Sequence, residues 1–397
     1  MRLLMFGWEF PPLNSGGLGT ACYGLTKSLS KKGVGITFVL PHAGNIKADF
    51  LKLISANVKI KKISSLLMPY LTSMTYNKIK DSSKSPNIYG STLFEEVHRY
   101  TEEAANIARQ EKFDIIHSHD WMTYGAGIKA KETTKKPLVI HVHATEFDRT
   151  GGHGVNQYVY DLEKRGMLFA DSIITVSNFT KNKIIQHYGI NPDKITVVHN
   201  SIETAHSSHD KELVDIKKHN RVVLFLGRVT LQKGPDYFLY AAKKVLEHDQ
   251  NVLFIVAGSG DMEAFIIEKA AELGIADKFL FAGFLVGEEV DKAYQMADLY
   301  VMPSVSEPFG LTALEAMRNN TPIIISKQSG VSEVVNHCLK VDFWDINEIA
   351  NKILAALRYS VLHNALKENA LYEIKKFSWD EPAKKCIEVY NKVAGVV

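Results

Sequence analysis

Short apolar runs bounded by turn residues recur along the chain, at residues 2–6, 36–40, 115–117, 138–141, 173–176 and 195–198. Each has the length of a buried strand. The stretches between several of them, such as residues 21–32 and 94–110, keep a helical spacing of apolar positions. Strand, helix, strand in succession predicts a parallel sheet covered by helices. The pattern lapses over residues 203–220, which are rich in Ser, His, Asp and Lys and read as an interdomain connector. It restarts at residues 222–226 and continues at 252–257, 279–281, 299–302 and 322–325. Two α/β halves on a polar linker result, with no evident repeat between them. The chain closes on a predicted helix within residues 377–393, with Ser378 as N-cap and Ala383, Cys386, Ile387 and Tyr390 on its apolar side.

Composition supports a globular reading: 397 residues, 46% hydrophobic and 23% charged, enough for two or three domains. With 47 basic against 44 acidic residues, bulk charge excludes a general nucleic-acid binder. One segment departs from that balance, since residues 51–90 carry seven lysines against one aspartate, with Tyr70, Tyr76 and Tyr89 interspersed. It reads either as a solvated insertion between a strand and the next helix or as a patch for an anionic polymer or a membrane surface. Cys22, Cys338 and Cys386 are far apart and odd in number, which argues against a disulfide scaffold or a four-cysteine zinc site and for a reducing compartment. No apolar run reaches about 18 residues, so no transmembrane helix is expected. The apolar start meets Pro11 and Pro12 without a small-residue cleavage site and reads as a first strand, not a signal peptide. A cytoplasmic location is the expectation.

Four stretches carry candidate chemistry. Asn14-Ser15-Gly16-Gly17-Leu18-Gly19 sits between a strand and a helix, where glycines and free helix amides can approach a phosphate. A dinucleotide-binding reading would need an acid closing the second strand, and that strand ends Pro41-His42-Ala43-Gly44; a tight strand–helix turn fits equally well. The second stretch is His117-Ser118-His119-Asp120-Trp121, followed by His141-Val142-His143-Ala144-Thr145-Glu146-Phe147-Asp148. Two His-x-His pairs on strands invite a metal reading, but no Asp or Cys spacing completes a recognised site. A hydrogen-bonded core role suits His117 and His141, while His143 and Asp120, beyond the strands, suit substrate contact. Third, Arg228 and Lys233 in the loop after residues 222–226 can converge on one dianionic group. Fourth, Met302-Pro303-Ser304 precedes Glu307-Pro308-Phe309-Gly310-Leu311-Thr312, whose last three residues open a helix able to cradle a diphosphate. Glu315 is placed for ribose hydroxyls and Glu307 for the sugar. The polar segment of residues 147–157 reads as an acceptor-shaping element or as a long flexible loop.

In these motifs the chain resembles the retaining glycosyltransferases of the GT-B architecture, closest to the family 4 group and related to the glycogen and starch synthases. The family's Glu-x7-Glu element matches Glu307 to Glu315, its basic pair Arg228 and Lys233, and its glycine loop Gly16 to Gly19. Its His-x-His-Asp-Trp segment matches His117 to Trp121, its strand-end histidine over the donor sugar matches His143, and the ending matches Phe377-Ser378-Trp379. The resemblance implies two Rossmann-like domains with parallel sheets facing a central cleft: residues 1–203, completed by a closing helix in 377–397, on the acceptor side, and residues 204–376 on the donor side. It implies catalytic roles for His143, Glu307, Arg228 and Lys233. Donor binding falls to Gly16, Gly17, Arg228, Lys233, Leu285, Glu307, Phe309, Gly310, Leu311, Thr312 and Glu315, and acceptor binding to Asp120, Asp148, Arg149 and Asn156. The expected donor is a nucleotide-diphosphate sugar, UDP- or ADP-glucose, with a carbohydrate acceptor, no cofactor and no metal. One departure concerns the donor nucleotide: bacterial glycogen synthases carry lysine just before the glycine pair, where this chain has Asn14-Ser15. A sugar-nucleotide epimerase, a transferase to a lipid-linked acceptor and a sugar-nucleotide-binding scaffold are the alternatives.

Overall fold

The structure is a computed structural model that describes residues 1–11, 16–42, 58–64, 93–203 and 220–395, with backbone alone over 58–64 and at His42. Asn14, Ser15, residues 204–219 of the connector and most of the lysine-rich segment lie outside the described residues. By their internal contacts the residues form two units, Met1–Glu146 with Val155–Asn200 and Trp379–Val397, and Phe147–Gly154 with Ser201–Ser378.

The first unit holds seven parallel strands: β1 (Arg2–Phe6), β2 (Gly35–His42), β3 (Val58–Ser64), β4 (Ile115–His119), β5 (Leu138–Val142), β6 (Ser172–Thr175) and β7 (Ile195–Val197). Their order is β3-β2-β1-β4-β5-β6-β7. The chain winds outward one way from β1 and then the other way from β4, and polar groups at the C-terminal ends beside that reversal sit where open α/β sheets bind ligands. β1, β4 and β5 are buried from end to end apart from Arg2, as strands covered on both faces must be, and β4 and β5 carry His117, Ser118, His119 and His141 within that buried layer. The strand β3 falls inside the segment expected to be a solvated insertion; alternating Val58, Lys59, Ile60 and Lys61 pair with β2 at the sheet edge, where lysine is common.

The second unit repeats the logic with β8 (Arg221–Leu226), β9 (Val252–Ala257), β10 (Phe279–Gly283), β11 (Leu299–Met302), β12 (Ile323–Ser326) and β13 (Leu339–Val341), in the order β10-β9-β8-β11-β12-β13. Phe225, Phe238, Phe254 and Phe279 pack ring against ring in its core. The segment Phe147–Gly154, expected with the first domain, belongs to this unit.

The closing helix spans Asp380–Ala394 and belongs to the first unit. Ser378 does not cap it: Trp379 holds the cap position without a side-chain bond, and the acidic pair Asp380 and Glu381 in the first turn meets the positive end of the helix dipole instead. Ala383, Cys386 and Tyr390 are buried as expected, Ile387 is only half-buried, and Pro382 and Val389 join the buried side.

Candidate active site

In the second unit, the loops leaving β8 and β9 touch backbone to backbone. A Cβ on Gly258 would lie 1.8 Å from the Gly227 carbonyl oxygen, and one on Gly260 2.2 Å from that of Val229. Gly258-Ser259-Gly260, directly after an apolar strand, was a signal present in the sequence that the motif reading passed over. Gly234, at φ +65°, presses against Pro303, where a Cβ would come within 2.2 Å of the carbonyl oxygen. That contact sets the Arg228–Lys233 loop against the end of β11.

Gln232, also unforeseen, stitches these segments together. It is buried; its Oε1 accepts from Arg228 Nη2 at 2.7 Å and its Nε2 donates to the Ser306 carbonyl at 3.1 Å. Its own carbonyl accepts the Val305 amide at 3.0 Å. Lys233 is thereby delivered to Glu307: Nζ donates to Oε2, and Ser304 Oγ donates to the same oxygen at 3.3 Å. The backbone of Glu307 is pinned in turn, its amide donating to Gln328 and its carbonyl accepting from Gly330.

Three residues on, Gly310 at φ +107° opens the helix Leu311–Arg318 with no side chain capping it. The first amides of a helix lack intrahelical acceptors, so this terminus offers donors to an anion. Phe309 and Leu311 are buried, which confines any donor role of theirs to the backbone, whereas Thr312 and Leu285 are half-buried. The Glu315 carboxylate accepts from the Tyr294 hydroxyl at 3.2 Å, and burial raises its pKa above the ordinary carboxylate range. Asp148 is wholly buried and accepts a hydrogen bond from Ser306 Oγ at 2.5 Å. Its expected acceptor contact gives way to a structural one that fixes residues 147–154 beside Glu307. Arg149 stays half-buried on the helical turn Glu146–Arg149.

In the first unit, His119 of β4 lies in register with His141 of β5. Asp120 follows at φ +57°, ψ 172°, a conformation that is sparsely populated for a residue with a Cβ. Its Oδ1 accepts the amides of His143 at 2.6 Å and Ala144 at 3.3 Å. Asp120 is buried and acts on the turn that carries His143, which corrects its expected role in touching the acceptor. His143 Nε2 lies 3.0 Å from His119 Nδ1, and the residue as a whole is half-buried. Burial and then His119 hold the His143 pKa well below the ordinary imidazole value, so the ring is neutral. His117 has the expected hydrogen bond, Nδ1 to the Tyr390 hydroxyl at 2.7 Å. His141 does not: neither ring nitrogen has a partner among the described residues.

Two further expectations are modified here. Gly16 caps the helix Gly17–Lys31, but the Gly19 amide donates at 3.0 Å to the buried carboxylate of Glu9, which takes one of the donors assigned to phosphate. Asn156 caps the helix Gln157–Phe169, its side chain accepting from the amides of Tyr158 and Val159, so that oxygen is committed away from an acceptor sugar. A surface cavity of about 660 Å³, lined by Met1, Arg2, Phe113 and Asp114, opens at the opposite, N-terminal ends of β1 and β4.

Comparison with known proteins places this geometry. The family description "Glycosyltransferase Family 4" matches residues 15–206 and "Glycosyl transferases group 1" matches residues 208–371. An uncharacterised glycosyltransferase of Methanocaldococcus jannaschii is 29% identical over 98% of both chains. The glycogen synthase of Mycobacterium tuberculosis is 26% identical over 84% of this chain and 80% of its own. Among solved structures, sucrose-phosphate synthase from Thermosynechococcus elongatus superposes with a TM-score of 0.81 at 17% identity over the full length of both chains. The Anabaena protein HepE, in complex with UDP-glucose, reaches 0.72 at 18% identity over 99% of this chain and 100% of its own. The chain belongs to the GT-B glycosyltransferases of the family 4 group. It is a glycosyltransferase, and none of its described helices is long and apolar enough to cross a membrane.

Proposed function

We propose that the protein transfers a hexose, glucose in the first instance, from a nucleotide-diphosphate sugar to a carbohydrate acceptor, with retention of configuration and without a metal ion at the diphosphate. The observation that carries this reading is Lys233 held on Glu307, three residues before the uncapped helix start at Gly310. A departing diphosphate needs preorganised positive charge, and one cation, a second in Arg228, and helix amides supply it. Glu307 is committed to Lys233 and Ser304, which suits charge and sugar positioning more than nucleophilic attack. Retention then follows from attack on the face the diphosphate leaves, the diphosphate taking the acceptor proton. UDP- or ADP-glucose as donor and an α-glucan as acceptor draw support from the glycogen synthase among the relatives and from UDP-glucose in the Anabaena structure.

A screen of nucleotide sugars, with released nucleoside diphosphate and labelled sugar product as readouts, tests this. The expected result is transfer to a glucan, an α-linked product, and full turnover without added magnesium or manganese. Epimerised donor without release would establish the epimerase alternative, a lipid-linked product the lipid acceptor, and binding alone a scaffold. Turnover that needs magnesium or manganese would overturn the metal-free diphosphate site.

A further inference from the structure

His117, His119 and His141 are 0%, 1% and 1% exposed, and their ring centroids form a triangle with sides of 4.3, 5.4 and 5.5 Å. His117 uses Nδ1 on the Tyr390 hydroxyl, and His119 uses Nδ1 on His143 Nε2. That leaves Nε2 of His117, Nε2 of His119 and both nitrogens of His141 buried without a partner among the described residues. One ligand atom from each ring lies within 4.8 Å of the others. A buried nitrogen without a partner is destabilising, so four of them gathered in one cluster call for an occupant.

The outer partners fit a particular occupant. A histidine bound to a metal through one nitrogen characteristically donates its other N–H to a fixed acceptor, which sets its tautomer. In the tautomers that have Nδ1–H of His117 donating to Tyr390 and Nδ1–H of His119 donating to His143, both Nε2 atoms keep a free lone pair. Uncharged imidazoles alone suit zinc and its neighbours in the first transition row. Magnesium and calcium, which take oxygen ligands, find none in this triad. We propose that His117, His119 and His141 bind one borderline transition-metal ion, zinc foremost, at a site made of residues outside the diphosphate-binding set. Closing three nitrogens on an ion at about 2.0–2.1 Å requires the stacked rings to turn, and three protein ligands leave a fourth position for a small molecule such as water. Cys22 groups with His119 and His143 in a separate set and does not group with the three histidines. The ion would join β4 to β5, reach the closing helix through Tyr390, and fix His143 through His119.

The test uses the full chain without a histidine tag, stripped of metal and dialysed against zinc or cobalt(II). One ion per chain by elemental analysis is expected, together with a tetrahedral cobalt absorption that zinc abolishes. Tyr390→Phe, which keeps the ring and removes only the outer partner, should weaken binding about 10–100-fold. His141→Phe should weaken it further still. Folded wild-type protein that retains no ion and shows no cobalt band overturns the proposal and assigns the free nitrogens to ordered water. Binding unchanged in both variants overturns it equally. Transfer activity enters neither readout.

Discussion

The Lys233 ammonium has three N–H donors, and the Glu307 carboxylate takes one of them, leaving others for an incoming phosphate. Arg228 is oriented from the side by Gln232, so its guanidinium is placed before any ligand arrives. Lys233→Ala or Arg228→Ala should each lower turnover on the order of 100-fold, the usual cost of removing one stabiliser of developing charge, with acceptor KM much less affected. Near-normal turnover in both variants, with an unchanged near-UV circular dichroism spectrum, would remove the phosphate-clamp assignment. The charged members of this site were readable because charge at the end of a parallel strand is a local sequence signal. Gln232, Glu9 and the true roles of Asp120, Asp148 and Asn156 were not. Each of these acts on a backbone amide, a hydroxyl or a neighbouring side chain whose position only the folded chain reveals, and Asp148 and Ser306 are 158 residues apart.

Among elements, strands with continuous apolar runs were legible almost to the residue, β1, β9 and β11 at both ends. The two that were missed, β3 and β13, carry lysine within the run, and edge position is what permits it. The closing helix was legible by its apolar spacing, but its start was not, because no capping side chain marks it. Its anchor is Trp379, whose indole lies against Gly24: a Cβ there would fall 2.1 Å from Nε1. Gly24→Ala should therefore destabilise the first unit by about 1–3 kcal/mol through overpacking. The same change should cost clearly less in a Trp379→Ala background, since two residues in contact do not add independently. Urea denaturation of the four proteins in this cycle, followed by far-UV circular dichroism, measures the coupling. Additive effects would mean that the helix is anchored elsewhere.

At the scale of the whole molecule, two sheets with the same winding order carry different titration chemistry. The first unit encloses His117, His119, His141 and His143, each with its pKa pressed down chiefly by burial, His119 to about 3 against an ordinary value of 6.5. Tyr390 and His143 bond to this cluster directly, and Asp120 holds the turn beside it. An unfolded chain takes up protons on these rings below pH 6.5, whereas burial keeps the folded rings neutral to lower pH, His119 down to about 3. Stability contributed by the neutral rings is thus fully present above pH 6.5 and falls as the pH drops through that window, by about 1.4 kcal/mol per pH unit for each ring that stays neutral. The tryptophans allow the unit to be followed on its own. Trp8, Trp121 and Trp379 are 8%, 8% and 7% exposed and all lie in the first unit, while Trp344 of the second is 57% exposed. The urea midpoint read by tryptophan fluorescence should therefore fall steeply between neutral pH and about pH 5, with net proton uptake on unfolding. A midpoint that stays constant over that range would show that the histidines are hydrated and titrate normally in the folded protein.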